Sequence, residues 1–320
     1  MQRDDPGQPV EESLEAVICA VARDDPGRLA LLAPNRLPLT YQGLSLRIQD
    51  TVSRLAAFGV TPGDRIAMVL PDGPEAAVAF LSVSALAACA PMNPASTASE
   101  LEYSLGALDP AAVIVPAGAR THAARVAASF GIPIIELSQV TAAEAGTFTL
   151  STRNTELRKR RHARNSKQAQ SGHMLILHTS GTTARPKLVV HTRRSIYWAT
   201  RYIGRGLALS PADRCLNFMP LFHGLGLTGG LLASLASGGS AVCTPGFRSA
   251  DFFRWLDDFS PTWYGAVPRV HESILESAAV HSEIVSRSRL RFARSAGAPL
   301  PQQLKAALEQ ALNFSGIPGL

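Results

Sequence analysis

Cysteine is scarce and scattered: Cys19, Cys89, Cys215 and Cys243 stand far apart, with no Cys-x-x-Cys pair. That spacing excludes a disulfide framework and a thiolate zinc site, and it fits a reducing compartment. A clean membrane-spanning run is also missing. Residues 221–243 carry no formal charge, but His223, six glycines and several serines interrupt them, which suits a buried loop and helix better than a bilayer. The N-terminus, Met1-Gln-Arg-Asp-Asp-Pro6, is polar and lacks an apolar segment, so no signal peptide and a cytoplasmic location are expected.

The basic surplus is confined to one stretch. Arg153–Lys167 holds seven Lys or Arg against Glu156 alone, a local surplus that accounts for the whole formal charge of +6. The rest of the chain is balanced, and no aromatic residue interleaves the basic run. A nucleic-acid partner is therefore not expected, and a solvated basic linker is.

With 320 residues, 46% of them apolar and 18% charged, the chain can bury a large core. Apolar periodicity predicts helices near 44–58, from the 71–74 turn through about 88, and at 99–108 and 122–130. Strands are predicted at 65–70, 111–115 and 132–137. Residues 138–171 are polar, small or basic without a period. Beyond them the pattern resumes with a strand at 174–177 and a helix at 193–207. Further strands are expected at 215–219, 240–244, 263–266 and 291–295, and helices near 227–236, 250–259, 269–278 and 301–312. Strand–helix alternation with short turns implies an α/β fold of parallel sheets flanked by helices. The expected organisation is a tail at 1–27, a first α/β subdomain at 28–137, a polar and basic linker at 138–171, and a second subdomain at 172–320.

One loop calls for a chemical explanation. After the apolar run Met174-Leu-Ile-Leu177 come His178, then Thr179-Ser180-Gly181-Thr182-Thr183, and shortly afterwards Pro186-Lys187. Hydroxyls, backbone amides and one cation gathered in a small volume suit the oxygens of a polyphosphate. An apolar strand that feeds such a loop is where open α/β sheets place ligands. The loop lacks the Gly-Lys pair of a Walker A sequence, and Ser180 lacks the flanking glycines of a hydrolase nucleophile elbow. An ordinary Ser/Thr turn would account for one or two of these hydroxyls more readily than for all of them.

Thr179–Lys187 resembles the phosphate-loop signature of the adenylate-forming superfamily, which includes acyl-CoA synthetases, luciferases and peptide-synthetase adenylation domains. It departs at Ala184, where the family usually has Gly or Ser. Thr40-Tyr41, Gly63-Asp64-Arg65 and Pro91-Met-Asn-Pro94 resemble N-terminal landmarks of that family. Pro220-Leu-Phe-His223 resembles its second motif, and Ser295-Ala-Gly-Ala-Pro-Leu300 its adenine loop. The stretches Cys215–His223, Cys243-Thr-Pro-Gly-Phe247 and Pro261-Thr-Trp-Tyr264 are similar to the subgroup that includes oxalate–CoA ligases.

The resemblance implies ATP-dependent, AMP-forming activation of a carboxylate, followed by transfer to CoA, with Mg²⁺ assisting. It assigns Thr179, Ser180, Gly181, Thr182, Thr183 and Lys187 to the phosphates. Gly297, Ala298 and Pro299 would line the adenine, and His223 would be the catalytic residue bordering the acyl pocket. Gly224-Leu-Gly226-Leu-Thr-Gly229 matches the dinucleotide pattern formally, but close helix packing explains its glycines better.

The family's Tyr-Gly-x-Thr-Glu segment, its ribose-binding Asp, and its small C-terminal domain with the adenylation lysine do not occur in this sequence. Little turnover by the 320 residues alone is therefore expected. The alternative reading is a non-catalytic nucleotide-binding or interaction module.

Overall fold

The computed structural model describes residues 13–152, 172–179 and 187–314. Two sheets form its frame. The first has six strands in the order β13-β12-β10-β11-β1-β2: β1 (Leu29–Leu32), β2 (Leu39–Thr40), β10 (Arg214–Asn217), β11 (Ser240–Cys243), β12 (Trp263–Ala266) and β13 (Phe292–Ser295). The second has seven in the order β7-β6-β5-β3-β4-β8-β9. These are β3 (Arg65–Met68), β4 (Ala88–Pro91), β5 (Ala112–Pro116), β6 (Ile134–Gln139), β7 (Phe148–Thr152), β8 (His173–Thr179) and β9 (Lys187–Thr192). Pairing is parallel except for β1–β2, β6–β7 and β8–β9. The expected α/β class with helix-flanked parallel sheets is what the chain forms.

The helices arise from local signals. Thr40 accepts from the Gly43 amide at 3.1 Å to start the Tyr41–Phe58 helix, and Gly59, at φ +104°, ends it in the left-handed conformation. Its buried face, Tyr41, Leu44, Ile48, Thr51 and Leu55, has helical spacing. The Pro74–Leu86 helix is buried on almost every side and shares one core with residues of both sheets, including Leu31 and Ala241 of the first and Ile66 and Leu175 of the second. Two further apolar clusters cover the outer faces of the sheets.

The sheets do not follow the two expected sequence units. β1 and β2 join the strands of the later half, and β8 and β9 join those of the earlier half. Long-range polar contacts accompany the exchange. Arg36, beyond β1, donates to Glu75 at 2.6 Å and to the Val140 and Glu144 carbonyls at 3.0 Å each. Tyr41 Oη donates to the Gly239 carbonyl at 2.7 Å.

Other departures have similar physical causes. The expected tail contains the Leu14–Asp24 helix, capped by Ser13 and buried at Leu14 and Ile18. The expected linker holds the edge strand β7, whose only buried residue is Leu150. The alanine-rich helix stops at Leu86, because Ala88–Pro91 forms the wholly buried strand β4 between β3 and β8. The helix expected near 227–236 is π-helical over Leu225–Leu232 and α-helical over Ala233–Ala236. Among the described residues no helix is long and apolar enough to cross a membrane.

Candidate functional site

The β8–β9 hairpin positions the hydroxyl loop. Met174, Leu175 and Ile176 are buried, and Leu175 pairs with Cys89 of β4. The backbone pairing of β8 with β9 ends at Thr179 opposite Lys187, which fixes both roots of the loop. Lys187 is exposed at the first position of β9. Ser180, Gly181, Thr182, Thr183 and Ala184 lie outside the described residues, as does the side chain of Thr179.

The chain leaves β10 at Asn217 and runs through Phe218 and Met219 into Pro220-Leu-Phe-His223. A turn closes there, with the His223 amide donating to the Pro220 carbonyl at 3.1 Å. The His223 ring lies 4.4 Å from the Phe222 ring, tilted by 53°. One anchor was not expected from the sequence: Asp72, in the turn after β3, accepts from the Leu221 amide at 2.8 Å. Desolvation raises the pKa of Asp72, while the Leu221 amide and His223 pull it down. Desolvation lowers the pKa of His223, and the charge of Asp72 partly offsets this. The imidazole is thereby held toward its neutral form, able to donate or accept a hydrogen bond without bringing a second full charge. The only hint of Asp72 in the sequence is Pro71-Asp72-Gly73, which reads as a turn.

Behind His223 the π-helical segment Leu225–Leu232 lies close against the first sheet. A Cβ on Gly226 would run into the Met219 and Pro220 carbonyl oxygens, the latter at 2.5 Å, and one on Gly230 would meet Asn217 Oδ1 at 2.6 Å. Gly229 lies against Arg294 of β13. Asn217 Nδ2 donates to the Gly226 carbonyl at 3.1 Å. These glycines serve close packing. At the start of the segment, a Cβ on Gly224 would lie 4.0 Å from Leu177 Cδ1, which places the end of β8 beside the His223 loop.

The third loop leaves β13. Its first residue, Ala296, donates its amide to the Ala266 carbonyl at the end of β12, at 3.1 Å. Gly297 follows at φ +87°, a left-handed conformation that favours glycine, and Gly297, Ala298 and Pro299 are all exposed. The His223 loop and the 296–300 loop thus leave the C-terminal ends of strands in one parallel sheet, the edge at which α/β folds bind ligands. Among the described residues no group of three or more His, Cys, Asp or Glu side chains could hold a metal ion.

Residues 19–317 match the family described as AMP-binding enzyme. An oxalate–CoA ligase of Arabidopsis thaliana is 33% identical over 308 residues, covering 94% of this chain and 58% of its own length. A probable CoA ligase of Humulus lupulus is 32% identical, covering 93% of this chain and 57% of its own length. The crystal structure of an ATP-bound RpMatB–BxBclM chimera superposes with a TM-score of 0.76 at 23% identity, over 93% of this chain and 57% of that one. The chain therefore spans somewhat more than half the length of the curated relatives it matches.

Proposed function

The chain belongs to the AMP-binding enzyme family, and on that premise we propose that it takes part in ATP-dependent, AMP-forming activation of a small carboxylate for transfer to CoA. Oxalate is the first candidate substrate, because the Arabidopsis relative is an oxalate–CoA ligase. In the first half-reaction a carboxylate oxygen attacks the α-phosphorus of ATP, the α–β bridge breaks, and acyl-adenylate and pyrophosphate form. In the second, the CoA thiol attacks the acyl carbon and AMP leaves.

The barrier is largely electrostatic, since an anion must approach a polyanion. Thr179, Ser180, Gly181, Thr182, Thr183 and Lys187 would hold the β- and γ-phosphates. Gly297, Ala298 and Pro299 would line the adenine. His223, kept toward its neutral form, would border the acyl group and donate a hydrogen bond to it without adding another full charge. Mg²⁺ is bound in such sites chiefly through the substrate phosphates, with one or two carboxylates at most. The ion is accordingly assigned to the ATP phosphates as part of the substrate, and no step depends on a protein-held metal.

The observation that carries this reading is the proximity of the β8 end to Gly224. It sets the root of the hydroxyl loop beside the His223 loop.

Carboxylate-dependent AMP release tests the reading. The 320-residue chain is incubated with ATP, Mg²⁺, CoA and a carboxylate panel that includes oxalate. Saturable ATP binding displaced by pyrophosphate is expected, with AMP release far below that of a full-length CoA ligase assayed alongside. No ATP binding at millimolar nucleotide would sink the reading. Robust AMP release would show instead that these 320 residues carry the whole reaction.

A further inference from the structure

The second sheet reverses its winding between β3 and β5. From β3 the chain passes through the Pro74–Leu86 helix to β4, on one side of β3. β5 pairs with the other side, and from it the chain passes through the His122–Ser129 helix to β6, farther out. The two helices accordingly lie on opposite faces. Ala76 and Phe80 of the first belong to the core shared by both sheets, whereas Ala123, Val126 and Ala127 of the second belong to an outer cluster. The connections after β3 and β5 therefore diverge, and α/β sheets bind ligands in the crevice that such a divergence opens beyond the strand ends.

The pairing of β3 with β5 runs to the Val69 amide, which donates to the Ile114 carbonyl at 2.9 Å. β5 stays joined to β6 through the Ala117 amide and the Leu137 carbonyl, at 2.8 Å. Past these bonds lies a cavity of about 430 Å³, a size that suits a small molecule. Its walls include Leu70, Pro71, Ala76, Pro116 and Leu137, and Glu75 and Gln139 give it a polar edge. Among the described residues, neither the His223 loop nor the 296–300 loop lines it.

That edge is built on a buried ion pair. Arg36 Nη1 donates to Glu75 Oε1 at 2.6 Å, and the two side chains are 9% and 6% exposed. Arg36 Nη2 is engaged with the Val140 and Glu144 carbonyls. Glu75 Oε2 is less well served: among the described residues it receives the Gln139 side-chain amide at a long 3.4 Å. A buried carboxylate oxygen gains from a closer donor. Because the pair is already neutral, a ligand cation would compete with Arg36, and a ligand anion would face Glu75 without a counter-charge. A neutral donor suits the edge, and an apolar body suits the walls.

We propose that this crevice is a second ligand site, which takes a small neutral hydroxyl compound with an apolar body. Its hydroxyl donates to Glu75 Oε2 in place of the Gln139 amide. The site stands apart from the residues assigned to ATP and does not depend on the ligase reading.

Benzyl alcohol is the probe, followed by methyl NMR of the 320-residue chain labelled at alanine and leucine. Benzyl methyl ether is the matched compound without a donor. Millimolar alcohol is expected to give saturable shifts at the Leu70, Ala76, Ala117 and Leu137 methyls, with the Ala298 methyl unmoved. The ether should bind about tenfold more weakly, the share of one hydrogen bond to a charged acceptor. No shifts, shifts spread alike over the whole chain, or equal affinity for alcohol and ether would overturn the proposal. Two exposed positions test the placement with little risk to the fold. Ala117→Phe fills the cavity from its rim and should abolish binding, and unchanged binding would overturn the site. Gln139→Ala removes the competing amide and should tighten alcohol binding severalfold while leaving the ether unaffected. Unchanged or weaker alcohol binding in that variant would overturn Glu75 as the acceptor.

Discussion

Asp72 accepts a hydrogen bond from the Leu221 amide at 2.8 Å across 149 residues of sequence, fastening the turn after β3 to the loop that carries His223. Asp72→Ala leaves that amide without its partner and should cost about 1–3 kcal/mol of stability, read from the urea midpoint. Asp72→Asn keeps an acceptor and should cost less. In both variants His223 loses a charge that favours its protonated form, so its titration, followed by NMR of the ring, should move to lower pH. An unchanged or upward shift would contradict the pairing.

His271 makes stability depend on pH. It is fully buried, its Nδ1 is 3.2 Å from Tyr264 Oη, and burial lowers its pKa from 6.5 to about 4, with the nearby Arg294 backbone offsetting part of the shift. The folded pKa lies below the unfolded one, so the unfolded chain binds the proton more readily between these values. Stability is therefore full above about pH 6.5 and falls as the pH drops toward 4, by about 3 kcal/mol for this group. His178, His191 and His223 are lowered by desolvation too and act in the same direction. Denaturant midpoints at pH 7.5 and 5 check this, and His271→Gln should flatten the dependence.

Two neighbouring glycines should respond in opposite ways. Gly226→Ala pushes a Cβ into backbone carbonyls that cannot move independently, so a loss of about 1–3 kcal/mol is expected. Gly224, at φ −57°, has among the described residues only Leu177 Cδ1 within reach, at 4.0 Å. Gly224→Ala should therefore be neutral or mildly stabilising. Thermal melts of the two variants give the comparison, and equal losses would contradict the packing described for the π-helical segment.

Much of this was legible in the sequence. The helix at 41–58, its glycine stop and the strand at 263–266 follow from apolar period and punctuation alone. Where sequence reading failed, distant partners decided the outcome. Alanines at 87–90 prefer a helix, yet β4 is held extended by neighbours on both sides. β7 is an edge strand with one buried residue and leaves little apolar trace. β1 and β8 each belong to the sheet of the other half, which no local pattern encodes.

The candidate site divides in the same way. The hydroxyl loop, His223 and Gly297 carry motifs that a reader can find. Asp72 looks like any turn residue, because its role depends on a contact far along the chain.

The most direct test of the central claim is an ATP titration of the 320-residue chain beside its Lys187→Ala variant, followed by calorimetry. The account predicts saturable ATP binding that weakens about tenfold in the variant, the share expected of one charge-assisted phosphate contact, with AMP binding unchanged because AMP lacks the β- and γ-phosphates. Equal ATP affinity in the two proteins, or none in either, would contradict a phosphate site at the end of the β8–β9 hairpin.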